Sequence, residues 1–288
     1  MSPKPEIELE PGLYIVATPI GNMGDITLRA LETLRKVDFI ACEDTRESGK
    51  LTSAYDIKAQ KLPYHDHNAA EMRPKILRIL GEGKTIALIS DAGMPLVSDP
   101  GYKLVQDCIA AGHYVTCVPG ASATLNALVL SGLPADRFFF AGFLPAKQSA
   151  RRQALGELKE IPGTLIFYET GPRLQESLAD MKDILGDRNA AVARELTKKF
   201  EELRRDRLSA LAASYEGEPP KGEIVVVVGA GFAEAAAWDD AAIDALLTKM
   251  IEEEGMGVKD ASSFVATKAG LRKNDVYQRA LLLKGRRK

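Results

Sequence analysis

Cysteine is scarce in this chain. Its 288 residues include three, Cys42, Cys108 and Cys117, with no C-x-x-C spacing. An odd, scattered set excludes a disulfide framework and argues against zinc, so buried thiols in a reducing compartment are expected. Histidine is equally sparse at three, and the His65/His67 pair has no third ligand nearby in sequence, so no metal is expected. No apolar run approaches the ~20 residues of a membrane-spanning helix. The opening segment, Met1 to Glu10, is polar and acidic where a signal peptide would be apolar, and a cytoplasmic protein is expected. The dinucleotide fingerprint G-x-G-x-x-G is also missing: the first glycine loop reads Thr18-Pro19-Ile20-Gly21-Asn22. There is no internal repeat and no low-complexity tract.

What remains is an ordinary globular composition, 45% hydrophobic and 27% charged with a net charge of −2. The length suggests roughly two domains of about 150 residues each. The small net charge hides an asymmetry. From Lys259 to Lys288 the chain carries nine Lys or Arg against two Asp, a basic tail on an acidic body. Such a tail serves either nucleic-acid contact or solubility.

The organising stretch is Ser90-Asp91-Ala92-Gly93-Met94-Pro95-Leu96-Val97-Ser98-Asp99-Pro100-Gly101. It follows the apolar strand Thr85–Ile89 and precedes a helix over 102–111, and ligands of α/β sheets bind at such strand ends. Ala92 and Gly93 let backbone approach a ligand, Asp91 can accept hydrogen bonds, and Ser98 is a candidate helix cap. Earlier strands are expected at 13–17 and 39–42, with a helix over 26–37 capped by Asp25 or Thr27. Glu43-Asp44-Thr45-Arg46 reads equally as part of a site or as a cap with an ion pair. Either Asn68 simply caps the helix over 69–80, or His65 and Asp66 face an acceptor substrate. A strand at 114–118 leads into Pro119-Gly120-Ala121-Ser122-Ala123-Thr124, opening another helix whose free N–H groups suit an anion. This alternation implies a largely parallel, doubly wound sheet.

A second α/β unit follows. Strands are expected at 138–143, 164–168, 190–193 and 223–229, the last fully buried, with a charged edge strand within 200–207. Helices are expected over 147–159, where Lys147, Arg151 and Arg152 make a basic start, over 173–185 and over 208–215. A Gly/Ala-rich linker over 229–238 leads to three short helices, 241–253, 258–269 and 274–283, whose spacing and basic flanks suggest a helix-turn-helix or a small packing module. The expected division is 1–119 for an N-terminal α/β domain, 120–232 for a second and 233–288 for a basic helical extension.

Taken in order, several motifs recur together: Thr18 to Asn22 with Gly24 to Ala30, Cys42 to Arg46, His65 to Asn68, Ser90 to Gly101, Pro119 to Ala123, Phe167 to Thr170 and Gly222 to Val225. The set resembles the tetrapyrrole methylase superfamily over about residues 11–230, and within it the bacterial branch that methylates the ribose 2′-hydroxyl of a cytidine in 16S ribosomal RNA. The helical tail resembles that branch's extension. The resemblance implies two α/β domains, a homodimer, and S-adenosylmethionine folded into the cleft between the domains. It places Pro19, Asp91, Ala92, Gly93, Met94, Val97, Ser122, Ala123, Tyr168 and Glu169 at the cofactor. Glu169 stands where tetrapyrrole enzymes commonly carry Met, which implies a changed acceptor side. Asp25 matches a Gly-Asp carboxylate implicated in proton removal in some relatives.

Methyl transfer from a sulfonium is an in-line displacement, so the protein mainly positions donor and nucleophile and needs no metal. A ribose hydroxyl needs a proton acceptor, for which Asp25, Glu43, Asp44 and His65 are the candidates, with Arg46 holding a phosphate or a developing oxyanion. The expected partner is 16S ribosomal RNA or the small subunit, with no membrane. A tetrapyrrole-like small-molecule acceptor and a non-catalytic RNA-binding protein are the competing readings.

Overall fold

A computed structural model describes residues 8–217, 219–231, 240–269 and 271–285. Residues 232–238 of the linker expected over 229–238, Glu218, Gly270 and the cations Arg286, Arg287 and Lys288 lie outside the described residues. The chain divides into two compact units, Met1–Ala230 and Gly231–Lys288.

The first unit begins with a parallel sheet of order β3-β2-β4-β1-β5, made of β1 (Gly12–Val16), β2 (Phe39–Cys42), β3 (Gln60–Pro63), β4 (Thr85–Ile89) and β5 (Tyr114–Val118). Helices α1 (Leu28–Lys36), α2 (Thr45–Ala54), α3 (Ala69–Gly81) and α4 (Tyr102–Ala110) connect them. Every residue of β4 is buried. Ala87 and Ile89 join Tyr14, Val16 and Leu34 on one face, while Ile86 and Leu88 join Leu13, Ile76 and Leu104 on the other. Two covered faces explain why these strands read as continuous apolar runs.

The second sheet is mixed, with order β6-β7-β10-β8-β9, from β6 (Phe138–Phe143), β7 (Thr164–Thr170), β8 (Asn189–Arg194), β9 (Glu202–Arg207) and β10 (Glu223–Val228). Only β6 and β7 pair in parallel; β10 runs antiparallel to both β7 and β8. The charged β9 is an edge strand, as its sequence suggests. One face packs on α6 (Gln148–Leu158), α7 (Gly171–Leu185) and α8 (Leu208–Ser214), through Leu155, Leu178 and Leu211. The other packs on Ala127 and Leu128 of α5 (Ala123–Ser131) and on Ile20, a loop residue of the first sheet.

Several local expectations change. Thr27, not Asp25, caps α1 by accepting from the Ala30 N–H at 3.0 Å. Asn68 precedes α3 without capping it. Its Oδ1 accepts from the His65 N–H (2.9 Å) and its Nδ2 donates to the Pro63 carbonyl (3.0 Å), which pins the loop. Gly101, not Ser98, precedes α4. Cys42 and Cys108 are buried, but Cys117 is exposed, because β5 is an edge strand. Arg151 does not belong to a solvated basic face: it is 1% exposed, and its Nε donates to Asp180 Oδ2 at 2.7 Å.

The second unit comprises α9 (Asp240–Thr248), a π turn at Lys249–Glu253, α10 (Val258–Ala269) and α11 (Lys273–Gly285). Ile243, Leu247, Val265 and Val276 form its core. Arg279 ties α11 to Asp240 and Asp244 of α9.

Asp180 is 2% exposed and also accepts from Arg152 at 2.8 Å, whereas Asp183 pairs with Arg152 near the surface at 3.1 Å. Removing one partner of a buried ion pair strands the other charge. Asp180→Ala is expected to cost about 3–5 kcal/mol in urea unfolding, and Asp183→Ala about 0–1 kcal/mol. Equal costs would refute the assignment of the buried pair.

Candidate active site

The loops that leave the carboxyl ends of β1 and β4 are stitched together. The Thr18 N–H donates to the Gly93 carbonyl at 2.9 Å, and the Gly93 N–H returns to the Thr18 carbonyl at 3.1 Å. The Thr18 hydroxyl adds a bond to the Ser90 carbonyl at 3.1 Å. Gly93 is fitted to this crossing. Its φ is +79°, and a Cβ there would lie 3.2 Å from Ile20 Cγ2. Further along, Leu96 (φ +72°) and Ser98 (φ +66°) hold left-handed backbone without being glycine, strain of the kind stored at functional sites.

Between this double loop and the second sheet lies a cavity of about 330 Å³, within the usual range for small-molecule sites. The first sheet's loops supply Ile20, Ala92, Gly93, Met94, Val97, Ser98 and Asp99; the second sheet and α5 supply Ser122, Ala123, Phe143, Tyr168, Leu196 and Val225, among others. Ser122 caps α5, its Oγ accepting from the Leu125 N–H at 3.4 Å. The Tyr168 hydroxyl and Thr124 Oγ1 hydrogen-bond at 2.9 Å, and Phe140 and Phe143 pack edge-on against the Tyr168 ring. A second hollow of about 210 Å³ shares Ile20, Ala92 and Glu223 with the first and takes in Pro19 and Asp91.

Lys198 ties the loop after β8 to β10, and its stem abuts the loop after β1. Its Nζ reaches Glu195 at 2.9 Å and Glu223 at 3.1 Å. Its stem lies so close to Gly21 that a Cβ there would meet Lys198 Cγ at 2.5 Å. Glu169 is 3% exposed and serves α7. Its Oε1 accepts from the Thr170 N–H (2.8 Å), its Oε2 accepts from the Ser177 hydroxyl (2.5 Å), and Arg173 lies at ion-pair distance (3.3 Å).

Of the residues singled out for the cofactor, Ala92, Gly93, Met94, Val97, Ser122, Ala123, Tyr168 and Glu169 line the larger cavity, and Pro19 and Asp91 line its neighbour. None of the five proposed for proton transfer and phosphate contact lines either hollow. Asp25 is exposed, closing a 3-10 turn at Met23–Asp25. Asp44 caps α2 and pairs with Arg46 (2.9 Å), which holds its carboxyl down to about 2; for these two residues the cap-with-ion-pair reading describes what is seen. The parallel register sets Cys42 beside Ile89 and Pro63, so Glu43, His65 and Asp91 gather at one sheet edge. Burial, followed by the neighbouring Asp91 and Asp66, pushes the Glu43 carboxyl up. Burial does the same to Asp91, against the Asp44 N–H, which donates to it at 3.3 Å. His65 Nδ1 is buried with no hydrogen-bond partner among the described residues.

The sequence reading passed over Ile20, Asp99, Phe143, Leu196 and Glu223. Asp99 lay within the stretch already chosen. The others enter the wall only because two sheets meet, which no local pattern announces.

Residues 12–212 match the family Tetrapyrrole (Corrin/Porphyrin) Methylases, and residues 237–284 match the RsmI C-terminal HTH domain. A ribosomal RNA small subunit methyltransferase I from Mesorhizobium japonicum is 53% identical over 97% of this chain and 95% of its own. A protein of the same name from Erythrobacter litoralis is 52% identical over 96% of each. Among solved structures, a uroporphyrin-III C-methyl transferase from Thermus thermophilus, complexed with S-adenyl homocysteine, shares the fold. Its TM-score is 0.52 at 20% identity, covering 76% of this chain and 97% of that one.

The crossing at Gly93 is testable against Gly83, which has a similar φ of +78° but nothing within 4 Å of a Cβ. Gly83→Ala should cost about 1–2 kcal/mol for left-handed backbone alone. Gly93→Ala should cost on the order of 1 kcal/mol more, because Ile20 must move. Urea titrations of the two variants read the difference directly, and equal costs would refute the packing argument.

Proposed function

We infer the function from membership: the chain belongs to the tetrapyrrole methylase family. It is an S-adenosylmethionine-dependent methyltransferase of small-subunit ribosomal RNA. The observation that carries this is near-full-length identity of about half to proteins of that name, together with the C-terminal domain named for RsmI. A tetrapyrrole acceptor is not favoured by those names.

We propose the 2′-hydroxyl of a cytidine in 16S ribosomal RNA as the acceptor, and the larger cavity as the donor's site. The residues present fit this cofactor. The wall is apolar at Ile20, Val97, Leu196 and Val225, narrow side chains at Ala92, Gly93 and Ala123 admit a nucleoside, and a Cβ at Gly93 would press on Ile20. When bound, S-adenosylmethionine supplies a methyl group activated by its positive sulfur. The residues that would hold it are Ala92, Gly93, Met94, Val97, Ser122, Ala123, Tyr168 and Glu169, with Pro19 and Asp91 at the adjoining hollow. Tyr168, braced by Thr124 and two phenylalanines, is a fixed surface against which a ligand can be oriented. Glu43, His65 and Asp91 form an acidic edge that can bond ribose hydroxyls, whereas Asp44 and Arg46 shape the α2 start and Asp25 stands apart. We also propose the division 1–119, 120–232 and 233–288 as three structural modules, a cytoplasmic location, and a homodimer. Large exposed apolar side chains on α5 and β6 (Leu125, Val129, Phe138, Phe139) support the dimer.

Deleting the gene should abolish one ribose methylation in 16S ribosomal RNA. Purified protein with labelled S-adenosylmethionine should restore it on subunits from the deletion strain, with binding weakened by salt as phosphate contacts require. An unchanged ribose-methylation map would overturn the assignment.

A further inference from the structure

The loop between β8 and β9 carries an aromatic ring that the fold does not use. Phe200 is 65% exposed and joins none of the hydrophobic clusters. The loop beneath it is held. Glu195 (φ +51°) and Thr197 (φ +67°) keep left-handed backbone, which a β-branched residue adopts only where its surroundings impose it. The Glu195 N–H donates to the Glu223 carbonyl at 3.0 Å, the Thr197 N–H to Glu201 Oε2 at 2.6 Å, and the Glu201 N–H to the Lys198 carbonyl at 3.1 Å. The ring therefore has a fixed base.

Single exposed apolar side chains are common, but this one has a particular place. Leu196 lines the larger cavity and Lys198 the smaller hollow beside it. Phe200 follows Lys198 by two residues, a span of at most about 7 Å, so it stands at the rim of that hollow. Lys199 Nζ lies over one face of the ring, 5.5 Å from its centroid, and has no ion-pair partner among the described residues. The nearby carboxylates are engaged elsewhere: Glu195 with Lys198 (2.9 Å), Glu201 with the Thr197 N–H, and Glu202 with Arg194 (2.8 Å) and Arg204 (2.6 Å). We propose that Phe200 is a stacking platform for an unpaired RNA base that flanks the methylated nucleotide, with Lys199 placed for the adjoining backbone phosphate.

The inference rests on the RNA methyltransferase reading. To bring its ribose to a methyl donor held in a cavity, a nucleotide must leave its stack, and the neighbouring base loses a partner on one side. An aromatic ring fixed at the rim replaces that partner. Every base has a π face, so the contact supplies affinity and register and little choice of sequence. The charge over the ring selects this occupant. Against a second copy of the chain or another protein, the Lys199 ammonium would be buried unpaired, which is costly. Against RNA, a phosphate pairs with it.

The test measures KM for small subunits from the deletion strain. Phe200→Ala and Phe200→Leu should each raise KM by about 5- to 150-fold, because leucine keeps apolar surface but offers no ring face. Phe200→Trp should return KM to within about threefold of wild type. In all three variants, kcat at saturating subunits and calorimetric affinity for S-adenosylhomocysteine should change less than about threefold, which also reports that they are folded. Lys199→Ala should flatten the dependence of log KM on log salt by about 0.7. An unchanged KM in Phe200→Ala, wild-type behaviour of Phe200→Leu, or a loss of S-adenosylhomocysteine affinity in Phe200→Ala would each overturn the proposal. So would an altered native mass of Phe200→Ala, which would make the ring a subunit contact, or an unchanged salt slope in Lys199→Ala. A wild-type protein that fails to methylate any subunit would instead overturn the reading under Proposed function.

Discussion

The pair of hydrogen bonds between Thr18 and Gly93 is the constraint on which the site depends. It joins loops that are 75 residues apart in sequence and, among the described residues, is the single isolated β-bridge outside the named strands. The crossing is close because Gly93 carries no side chain, and closeness drives Ile20 outward. Ile20 then buries itself, 5% exposed, among Ala191, Ala193 and Val227 of the second sheet. Two backbone bonds in one half of the unit thereby set the distance to the other half, and the cavity is the gap left over. Full burial of an Ile side chain is worth roughly 1.5–3 kcal/mol, comparable with the strain that left-handed Leu96 and Ser98 impose on the same loop.

Much of this was legible in the sequence. Strands β1, β4 and β10 are apolar on both faces, so their runs mark them without reference to neighbours. The site loops stand out because Gly, Pro, Asp and Ser gather where strands stop. Direction was not legible. A buried strand of five valines and isoleucines reads the same whether its partners run with it or against it, and β10 turned out antiparallel to both. Lobe-to-lobe contacts were hidden for the same reason. Nothing local to Leu196, Lys198 or Glu223 shows that they will meet Ile20 and Gly21.

Polar residues in motif positions divide according to whether backbone donors lie closer than a ligand can. Asp44 sits before α2 and Glu169 before α7, where unsatisfied N–H groups compete for any carboxylate within reach. Asp44 takes the Arg46 N–H at 2.8 Å, and Glu169 takes that of Thr170 at 2.8 Å. Both are thereby committed to the fold. Asp99 precedes a helix too, but Pro100 and the positive φ of Gly101 (+132°) separate it from α4, whose first turn shows no side-chain cap. The same residue type, one turn from a helix start, is left uncommitted by an intervening Pro-Gly.

That separation also explains the charge economy of the cavity. A carboxylate bonded to a guanidinium and to a helix N-terminal N–H is stabilised as an anion and loses basicity, as Asp44 shows by falling to about 2 under the Arg46 side chain first and the Arg46 N–H second. A carboxylate denied those donors and half-buried beside Glu43 and Asp91 moves in the opposite direction, as Asp99 does. The two shifts have different leading causes, the Arg46 guanidinium for Asp44 and burial for Asp99. Withholding those donors costs stability above the shifted range, since the folded state then holds an anion less comfortably than the unfolded chain does. The fold tolerates that cost at a wall facing the gap between its two sheets. There an uncommitted carboxylate can bond a hydroxyl or an ammonium, whereas one tied to a helix start cannot.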